Sequence, residues 1–167
     1  MKTVLIVLGV IVLILVIGFA SLFGVYNGFV TAEQSVNEKW AQVQNVYQRR
    51  TDLIPNLVET VKGFAAQEKT VLEAVTQARA SASGIKATPE LLNDPVAFKK
   101  FQDAQNQLGG ALSRLLVTVE RYPELKSNQN FLALQSQLEG TENRITVERM
   151  RFNEAVRDYN TKIKLMP

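Results

Sequence analysis

The stretch VLIVLGVIVLILVIGFASLFGV, residues 4–25, decides the architecture of this chain, because no charged side chain interrupts it. Leu, Ile, Val and Phe dominate the stretch. A helix needs about 20 predominantly apolar residues to cross the hydrocarbon core of a bilayer, and this stretch provides them. The sequence therefore predicts a transmembrane anchor at residues 1–25.

A cleaved secretory signal peptide is the alternative interpretation of the same stretch. Lys2 would supply a minimal basic start, and Gly18 with Ala20 a small-residue cleavage site. The apolar run, however, continues past those positions and is longer than the apolar region of a usual signal peptide. Tyr26 then follows where an interfacial aromatic residue is expected. These features favour an uncleaved anchor.

Charges on the two flanks of the apolar stretch predict its orientation. Lys2 and the amino terminus lie on one side, whereas the other side has Lys39 accompanied by Glu33 and Glu38. Positive residues are retained in the cytoplasm. We therefore expect a single-pass membrane protein with a cytoplasmic amino terminus and a helical domain on the outer side.

Small residues recur every four positions across the end of the apolar stretch, at Ala20, Gly24, Gly28 and Ala32. On one helix they form a stripe that lets a neighbouring backbone approach closely. Glycine is also common in membrane helices for other reasons. We interpret the four residues as a candidate self-association surface.

Beyond the anchor, apolar residues recur at steps of three and four, which is typical of amphipathic helices. The first stretch carries Val36, Trp40, Val43, Tyr47, Ile54, Leu57, Val61, Phe64, Val71, Val75 and Ala78. Two more stretches follow, from Phe98 to Tyr122 and from Phe131 to Ile163. Pro55 interrupts the first stripe and predicts a kink. Short connections favour antiparallel neighbours, so residues 26–167 are expected to form an all-α antiparallel bundle of long helices.

Residues typical of helix ends divide residues 26–167 into separate helices. Asp94 followed by Pro95 is typical of an N-cap with proline at the first helical position. A second proline, Pro123, predicts the end of the next helix, and Ser127 is a candidate cap for the last one. The glycine pair at 109–110 costs about 1 kcal/mol per residue relative to Ala. It predicts either tight packing at a helix crossing, which we favour, or a local bend.

Composition excludes several kinds of chemistry. The 167 residues include no Cys and no His, so disulfides, thiolate nucleophiles, histidine bases and Cys/His zinc sites are impossible. The formal net charge of +3 is too small to indicate nucleic-acid binding. No glycine-rich phosphate loop and no cluster of inward-facing acids stands out. The sequence therefore predicts no enzyme, no cofactor and no metal.

Two charged features have alternative interpretations. Arg49, Arg50 and Asp52 are candidate polar contacts: the arginines could bind an anion or headgroup, or the three could lie on a solvated face with a local ion pair, which we favour. Glu68 interrupts the apolar stripe. It would need a basic partner if buried, and we expect it at the edge of the stripe, reaching solvent.

Several stretches together resemble the LemA family. They are Trp40–Val43, Tyr47–Val58, Val61–Ala65, Leu112–Leu115, Glu120–Lys126, Phe131–Leu134, Leu138–Ile145, Phe152–Asn153 and Tyr159–Asn160. The run Arg-Arg-x-Asp-Leu-Ile-Pro-Asn-Leu-Val from Arg49 is the most specific of them. Gln67 departs from the pattern, because family members often have His-Glu where this chain has Gln67-Glu68.

The resemblance implies one amino-terminal membrane helix followed by an antiparallel helical domain in a bacterial envelope protein, and with the predicted orientation this gives an expected location in the cytoplasmic (inner) membrane with the domain on its periplasmic side. It implies no accepted catalytic site. It suggests association with membrane stress, membrane metalloproteases and membrane remodelling. Within the signature, Pro55 would fix a kink and Arg50 would pair with Asp52 or with an acid on a neighbouring helix.

Two functions follow as hypotheses. The first is a membrane-anchored scaffold that self-associates and contacts membrane lipids and other envelope proteins, with confinement to the membrane raising its effective concentration. The second is an adaptor that binds a membrane metalloprotease or its substrates in a groove between helices.

Overall fold

The computed structural model describes residues 2–165, with side chains from Ile6 onward except that of Val7. Five α-helices follow one another: α1 Lys2–Phe64, α2 Lys69–Gly84, α3 Pro95–Val119, α4 Pro123–Lys126 and α5 Gln129–Lys164. A short 3-10 helix, Pro89–Asn93, precedes α3, and residues 2–165 contain no strand. The all-α prediction is confirmed. The side chain of Lys2, on which the predicted orientation depends, and the terminal residues Met1, Met166 and Pro167 lie outside the described part.

The residues fall into two compact units. The first comprises the described residues up to Lys39 together with those from Phe152 onward, and the second is Trp40–Arg151. The boundary expected between residues 25 and 26 stays a prediction, because a compact unit is defined by contacts rather than by the edge of an apolar stretch.

Within the second unit the helices alternate in direction. Trp40 on α1 packs against Phe98 and Phe101 at the start of α3, with ring centroids 5.7 Å apart in both pairs. Glu68, just after α1, meets Tyr122, just after α3. α1 and α3 therefore run in the same direction, and the short connections reverse α2 and α5 against them. This is the expected antiparallel bundle.

One turn was not predicted. Residues 65–68 separate α1 from α2, with Ala65 N–H donating to the Val61 carbonyl and Glu68 N–H to the Ala65 carbonyl. The continuous stripe expected from Val36 to Ala78 is therefore two helices. Both bury their apolar faces in the same core, so the spacing of apolar residues continues across the turn without a visible break.

The bundle core contains apolar residues from all the long helices. Ile54, Leu57 and Val61 of α1 are at most 1% exposed, as is Phe131 of α5. The core continues through α2, α3 and α4 with Leu72, Val75, Ala78, Ala82, Leu108, Ala111, Leu112, Leu115, Val119 and Leu125. Trp40, a member of the apolar stripe predicted for the first stretch, is 2% exposed and is therefore also buried.

The helix ends agree in part with the predicted caps. Asp94 Oδ1 accepts from the N–H groups of Val96 (2.9 Å) and Ala97 (3.0 Å), which confirms it as the N-cap of α3. Ser127 does not cap α5, because its hydroxyl donates back to the Glu124 carbonyl. Asn128 takes that role, since its Oδ1 accepts from Phe131 N–H at 3.1 Å.

The glycine pair of α3 is not a close crossing. A Cβ built at Gly109 or Gly110 would meet no described atom within 4 Å outside the local helix backbone. The tight packing favoured from the sequence is therefore wrong. Gly109 instead borders an open groove between α3 and α5.

Candidate functional site

The amino-terminal part of α1 has the length and the exposed apolar surface of a membrane-spanning helix. From Ile6 to Tyr26 the described large apolar side chains each expose between 42 and 68% of their surface. In the described part of the chain, one helix is long and apolar enough to cross a membrane. None of the residues in its most apolar 18-residue stretch is buried within the protein. Exposed apolar surface of this extent is stable in a bilayer and not in water. Among the described residues, this segment is thus the one suited to single-pass anchoring.

The stripe of small residues is only partly exposed. Ala20 and Gly24 are exposed, whereas Gly28 is half-buried and Ala32 is 8% exposed. The Lys162 ammonium lies 3.3 Å from the Gly28 carbonyl, so the end of α5 lies beside this part of α1 within the first unit. A Cβ at Gly24 or Gly28 would meet no described atom within 4 Å outside the local helix backbone. The stripe therefore has a free half at Ala20 and Gly24 and a partly covered half.

The charged cluster of the signature separates in three dimensions. Arg50 is 3% exposed, whereas Arg49 and Asp52 are exposed. Asp52 accepts from Gln48 Nε2 at 2.8 Å, one turn earlier on the same helix. The favoured solvated face is wrong for Arg50, because this position of α1 faces the interior of the bundle.

Arg50 connects three helices. Its Nη1 donates to Glu142 Oε1 of α5 at 2.8 Å, and its Nη2 donates to the Gln105 carbonyl of α3 at 3.2 Å and also to Gln105 Oε1. The partner is therefore an acid on another helix, one of the two alternatives that the family resemblance implied. A buried guanidinium needs this compensation, since an unpaired buried charge is strongly destabilising. The Glu142 side chain is 44% exposed, so water reaches one end of the ion pair.

Tyr47 completes this polar site. Its ring centroid lies 5.1 Å from Arg50 Cζ, which is within the range of a cation–π contact. Burial raises the pKa of the Tyr47 phenol above 10, and the nearby cations Arg149 and Arg50 lower it in part. Two buried donors have no partner among the described atoms, Arg50 Nε and Gln44 Nε2. The site contains no nucleophile beside a base, and its contacts tie α1, α3 and α5 together.

Pro55 lies inside α1 and leaves one backbone carbonyl of the helix without its usual hydrogen-bond donor. Proline has no N–H, so the carbonyl four residues earlier, that of Thr51, loses its usual helical donor. Arg79 Nε of α2 donates to this carbonyl at 3.0 Å. Proline's missing hydrogen bond thus becomes a contact between two helices. The predicted kink itself stays a prediction.

A second polar cluster joins the turn after α1 to the turn after α3. Glu68 Oε1 accepts from the Tyr122 hydroxyl at 2.7 Å and from Arg121 Nη2 at 3.0 Å. Gln67 Nε2 in turn donates to the Tyr122 hydroxyl at 3.0 Å. The Glu68 side chain is 18% exposed, so it lies at the edge of the stripe and reaches solvent in part, as expected, and it also has the basic partner that burial requires. The hydrogen bond to Glu68, followed by burial, raises the pKa of Tyr122.

The remaining surface of the bundle offers two open grooves. One, of about 1010 Å³, lies between α1 and α2, with Val58 and Leu72 among its lining residues and Glu59, Lys62 and Glu73 beside them. The other, of about 470 Å³, lies between α3 and α5. Over residues 2–165, no group of three or more acidic side chains is arranged to hold a metal ion.

The chain has relatives among characterised proteins. It is 30% identical to the magnetosome protein MamQ of Magnetospirillum gryphiswaldense over 96% of this chain and 65% of the relative. It is 29% identical to the magnetosome proteins MamQ 1 and MamQ 2 of Paramagnetospirillum magneticum, over 93% of this chain and 63% of each relative. The chain thus spans slightly less than two thirds of the length of these relatives.

The polar contacts described above connect the sequence stretches that resemble LemA. Arg50 of the stretch Tyr47–Val58 pairs with Glu142 of the stretch Leu138–Ile145, and Tyr122, which bonds Glu68, belongs to the stretch Glu120–Lys126. A comparison with family models matches residues 39–167 to the LemA family. This match covers most of the chain and agrees with the helical architecture, so the chain belongs to the LemA family.

Proposed function

We propose that this protein is a membrane-anchored helical scaffold of the bacterial envelope that self-associates through its anchor and the adjoining part of α1. Its role would be to organise the membrane or to take part in its response to stress. Family membership and the magnetosome-protein relatives support the coarser part of this proposal, a membrane-associated helical protein. The organelle in the relatives' names is not transferred to this chain.

One observation carries the proposal: the apolar start of α1 is exposed over its whole described length. In a bilayer these exposed apolar side chains would lie in the hydrocarbon core instead of in water. Anchoring also confines the bundle to two dimensions, which raises its effective concentration toward other copies and so strengthens weak contacts between them.

The free half of the small-residue stripe supports self-association. At Ala20 and Gly24 the surface of α1 is exposed and nearly without side-chain bulk, so a second anchor helix could approach closely. Since Ala32 is already buried, the contact between copies would centre on Ala20 and Gly24, with Gly28 at its margin.

The test compares leucine at Gly24 with leucine at Gly18, a matched control that is also in the anchor, has the same open surroundings and lies off the stripe. The full chain is reconstituted in nanodiscs or mild detergent, and its mass and chemical crosslinking are measured. We expect oligomers in the wild type and in G18L, and their loss in G24L. Oligomers that persist unchanged in G24L, or a monomeric wild type, would refute self-association at this stripe.

The proposed orientation, with the amino terminus in the cytoplasm and the bundle outside, has its own test. The chain has no Cys, so a single cysteine replacing Val117, which is 71% exposed, gives a unique labelling site. A membrane-impermeant maleimide should label V117C in intact spheroplasts. Labelling only after lysis would place the bundle in the cytoplasm.

A second candidate function, an adaptor, is favoured by the groove between α1 and α2. Its apolar residues Val58 and Leu72 lie among charged ones, an arrangement that suits an amphipathic peptide helix. The partner would be a membrane metalloprotease or one of its substrates. Photocrosslinkers at Thr70 and, as a control, at Ser113 in the other groove would test it in cells. A discrete partner adduct at Thr70 alone supports the adaptor.

A further inference from the structure

The last turn of α5 combines positive charge with exposed apolar side chains. Lys162 and Lys164 are both exposed, and neither forms an ion pair within the described residues. Between and after them, Ile163 is 46% exposed and Leu165 is 76% exposed. Within the described residues no acidic group neutralises the two charges, and much of the apolar surface of the two aliphatic side chains stays exposed.

The position of this turn beside α1 indicates what it faces. The Lys162 ammonium lies 3.3 Å from the carbonyl of Gly28, and both residues belong to the first unit. Gly28 comes three residues after Val25, the last residue of the apolar stretch, which is about 4.5 Å along a helix. The headgroup layer extends roughly 5–7 Å beyond the hydrocarbon core on each side. When residues 4–25 fill the core, the ammonium therefore lies at the depth of the lipid phosphates.

We propose that the last turn of α5 is a phospholipid-binding surface. Lys162 and Lys164 pair with the phosphates of anionic lipid headgroups, while Ile163 and Leu165 enter the boundary between headgroups and acyl chains. Lysine suits this role, because its long apolar stem can lie along the boundary while the ammonium stays among the phosphates. The inference rests on the proposed membrane anchor and deepens it, since it adds a second contact of the chain with the same bilayer.

Continuity and charge favour lipid over a protein partner. The surface adjoins the end of the anchor, so membrane lies beside it as soon as the anchor is inserted. The turn itself carries no acid, and the nearest acid along α5 is Asp158, one turn before Lys162. A second copy of the same turn would bring like charges together, which disfavours pairing of two such turns.

Single cysteines carrying an environment-sensitive fluorophore test the surface, because the chain has no cysteine of its own. The sites are Leu15 in the anchor, Ile163 in the proposed surface and Asn153, which is exposed about 15 Å before Ile163 along α5. Each full-length variant is reconstituted in nanodiscs of phosphatidylcholine alone or mixed with phosphatidylglycerol. Quenching by lipids with a nitroxide near the headgroup or in the acyl chain reports contact with the bilayer.

We expect acyl-chain quenching at L15C, headgroup quenching at I163C that increases with phosphatidylglycerol, and little quenching at N153C. The double variant K162E/K164E should remove the dependence on phosphatidylglycerol. The control K86E/K100E makes the same charge change at two exposed lysines of the second unit and should leave it intact.

The two proposals fail differently. Quenching at L15C without quenching at I163C overturns the lipid surface and leaves the anchor standing. Absence of quenching at L15C overturns the anchor and the inference together. Disulfide crosslinking of unlabelled I163C between copies, in place of lipid quenching, assigns the surface to a second copy and overturns the inference. Unchanged lipid dependence in K162E/K164E overturns the pairing with phosphate.

Discussion

The contact between Arg79 and the carbonyl that Pro55 leaves without a helical donor gives a quantitative prediction. Arg79 Nε donates to the Thr51 carbonyl at 3.0 Å, and Thr51 is 4% exposed. Replacing Arg79 by Met keeps much of the stem and removes the donor. In the wild-type background the carbonyl is then partly buried without compensation. In a P55A background the alanine N–H can donate to the same carbonyl along the helix.

The magnitude follows from the charge of the donor. A hydrogen bond to a charged group contributes roughly 1.5–3 kcal/mol, and a buried acceptor left unpaired costs about 1–3 kcal/mol. Since Arg79 is itself partly exposed, we take a value below the upper end of these ranges and expect R79M to lower the free energy of unfolding by about 2 kcal/mol. In the P55A background we expect about 0.5 kcal/mol, which leaves a coupling energy of about 1.5 kcal/mol.

The double-mutant cycle is measured by denaturant unfolding of the full chain in detergent. The single tryptophan, Trp40, is buried in the bundle and reports its unfolding by fluorescence. R144M, which makes the same change at an exposed arginine of α5, should alter the free energy of unfolding by less than about 0.5 kcal/mol. Equal costs of R79M with and without Pro55 would show that Arg79 does not compensate for the proline.

Three further predictions follow from the polar sites and the glycine pair. E142A should lower the free energy of unfolding by about 1–2 kcal/mol, because it removes the acidic partner of the buried Arg50. Water that reaches this end of the ion pair limits the loss. E139A, at an exposed acid of α5, is the control in the same unfolding assay. G110A should raise the free energy of unfolding by about 1 kcal/mol, because a Cβ meets nothing there and alanine is the better helix former; a melting temperature below wild type would reveal a hidden close contact. Tyr122 has a raised pKa in the folded state, so the folded state holds its proton more tightly than the unfolded state, whose phenol has a pKa of about 10. Its stabilising contribution is complete below pH 10 and is lost as pH rises through the folded pKa. Melting temperatures and tyrosinate absorbance across this range should show a steeper alkaline loss in wild type than in Y122F, and identical profiles would refute the assignment.

Local patterns predicted much of the fold. The uninterrupted apolar run at 4–25 predicted the anchoring helix, because the length of a membrane span depends only on the residues within it. Apolar residues at helical spacing predicted the all-α class, and the Asp94–Pro95 pair predicted the start of α3, because a cap is formed by neighbours in the sequence.

The turn at 65–68 was not predicted because it lacks the residues that usually mark a turn. Its residues Ala-Ala-Gln-Glu include neither proline nor glycine, and the apolar spacing of α1 resumes in α2. The tight crossing expected at Gly109–Gly110 failed for a related reason. A glycine permits a close approach, but only the position of another helix decides whether one occurs.

The polar sites required the tertiary structure. Arg50 lies within a run of polar residues that includes Arg49 and Asp52, so its sequence neighbours suggested a solvated face. Its partner Glu142 lies 92 residues away, and only the packing of α5 on α1 brings the two side chains together. Pro55 indicated that the Thr51 carbonyl needed an outside donor, but nothing local identified Arg79.

The sequence alone thus determined the all-α class, most of the helical segments and the one suited to cross a membrane, since these depend on side chains a few positions apart along one chain. The tertiary structure alone decided which charges are buried and which residues neutralise them. Burial and ion pairing depend on how helices distant in sequence pack, and one α-helical spacing is compatible with several packings. Arg50, Glu68 and Lys162 acquired their partners only through that packing.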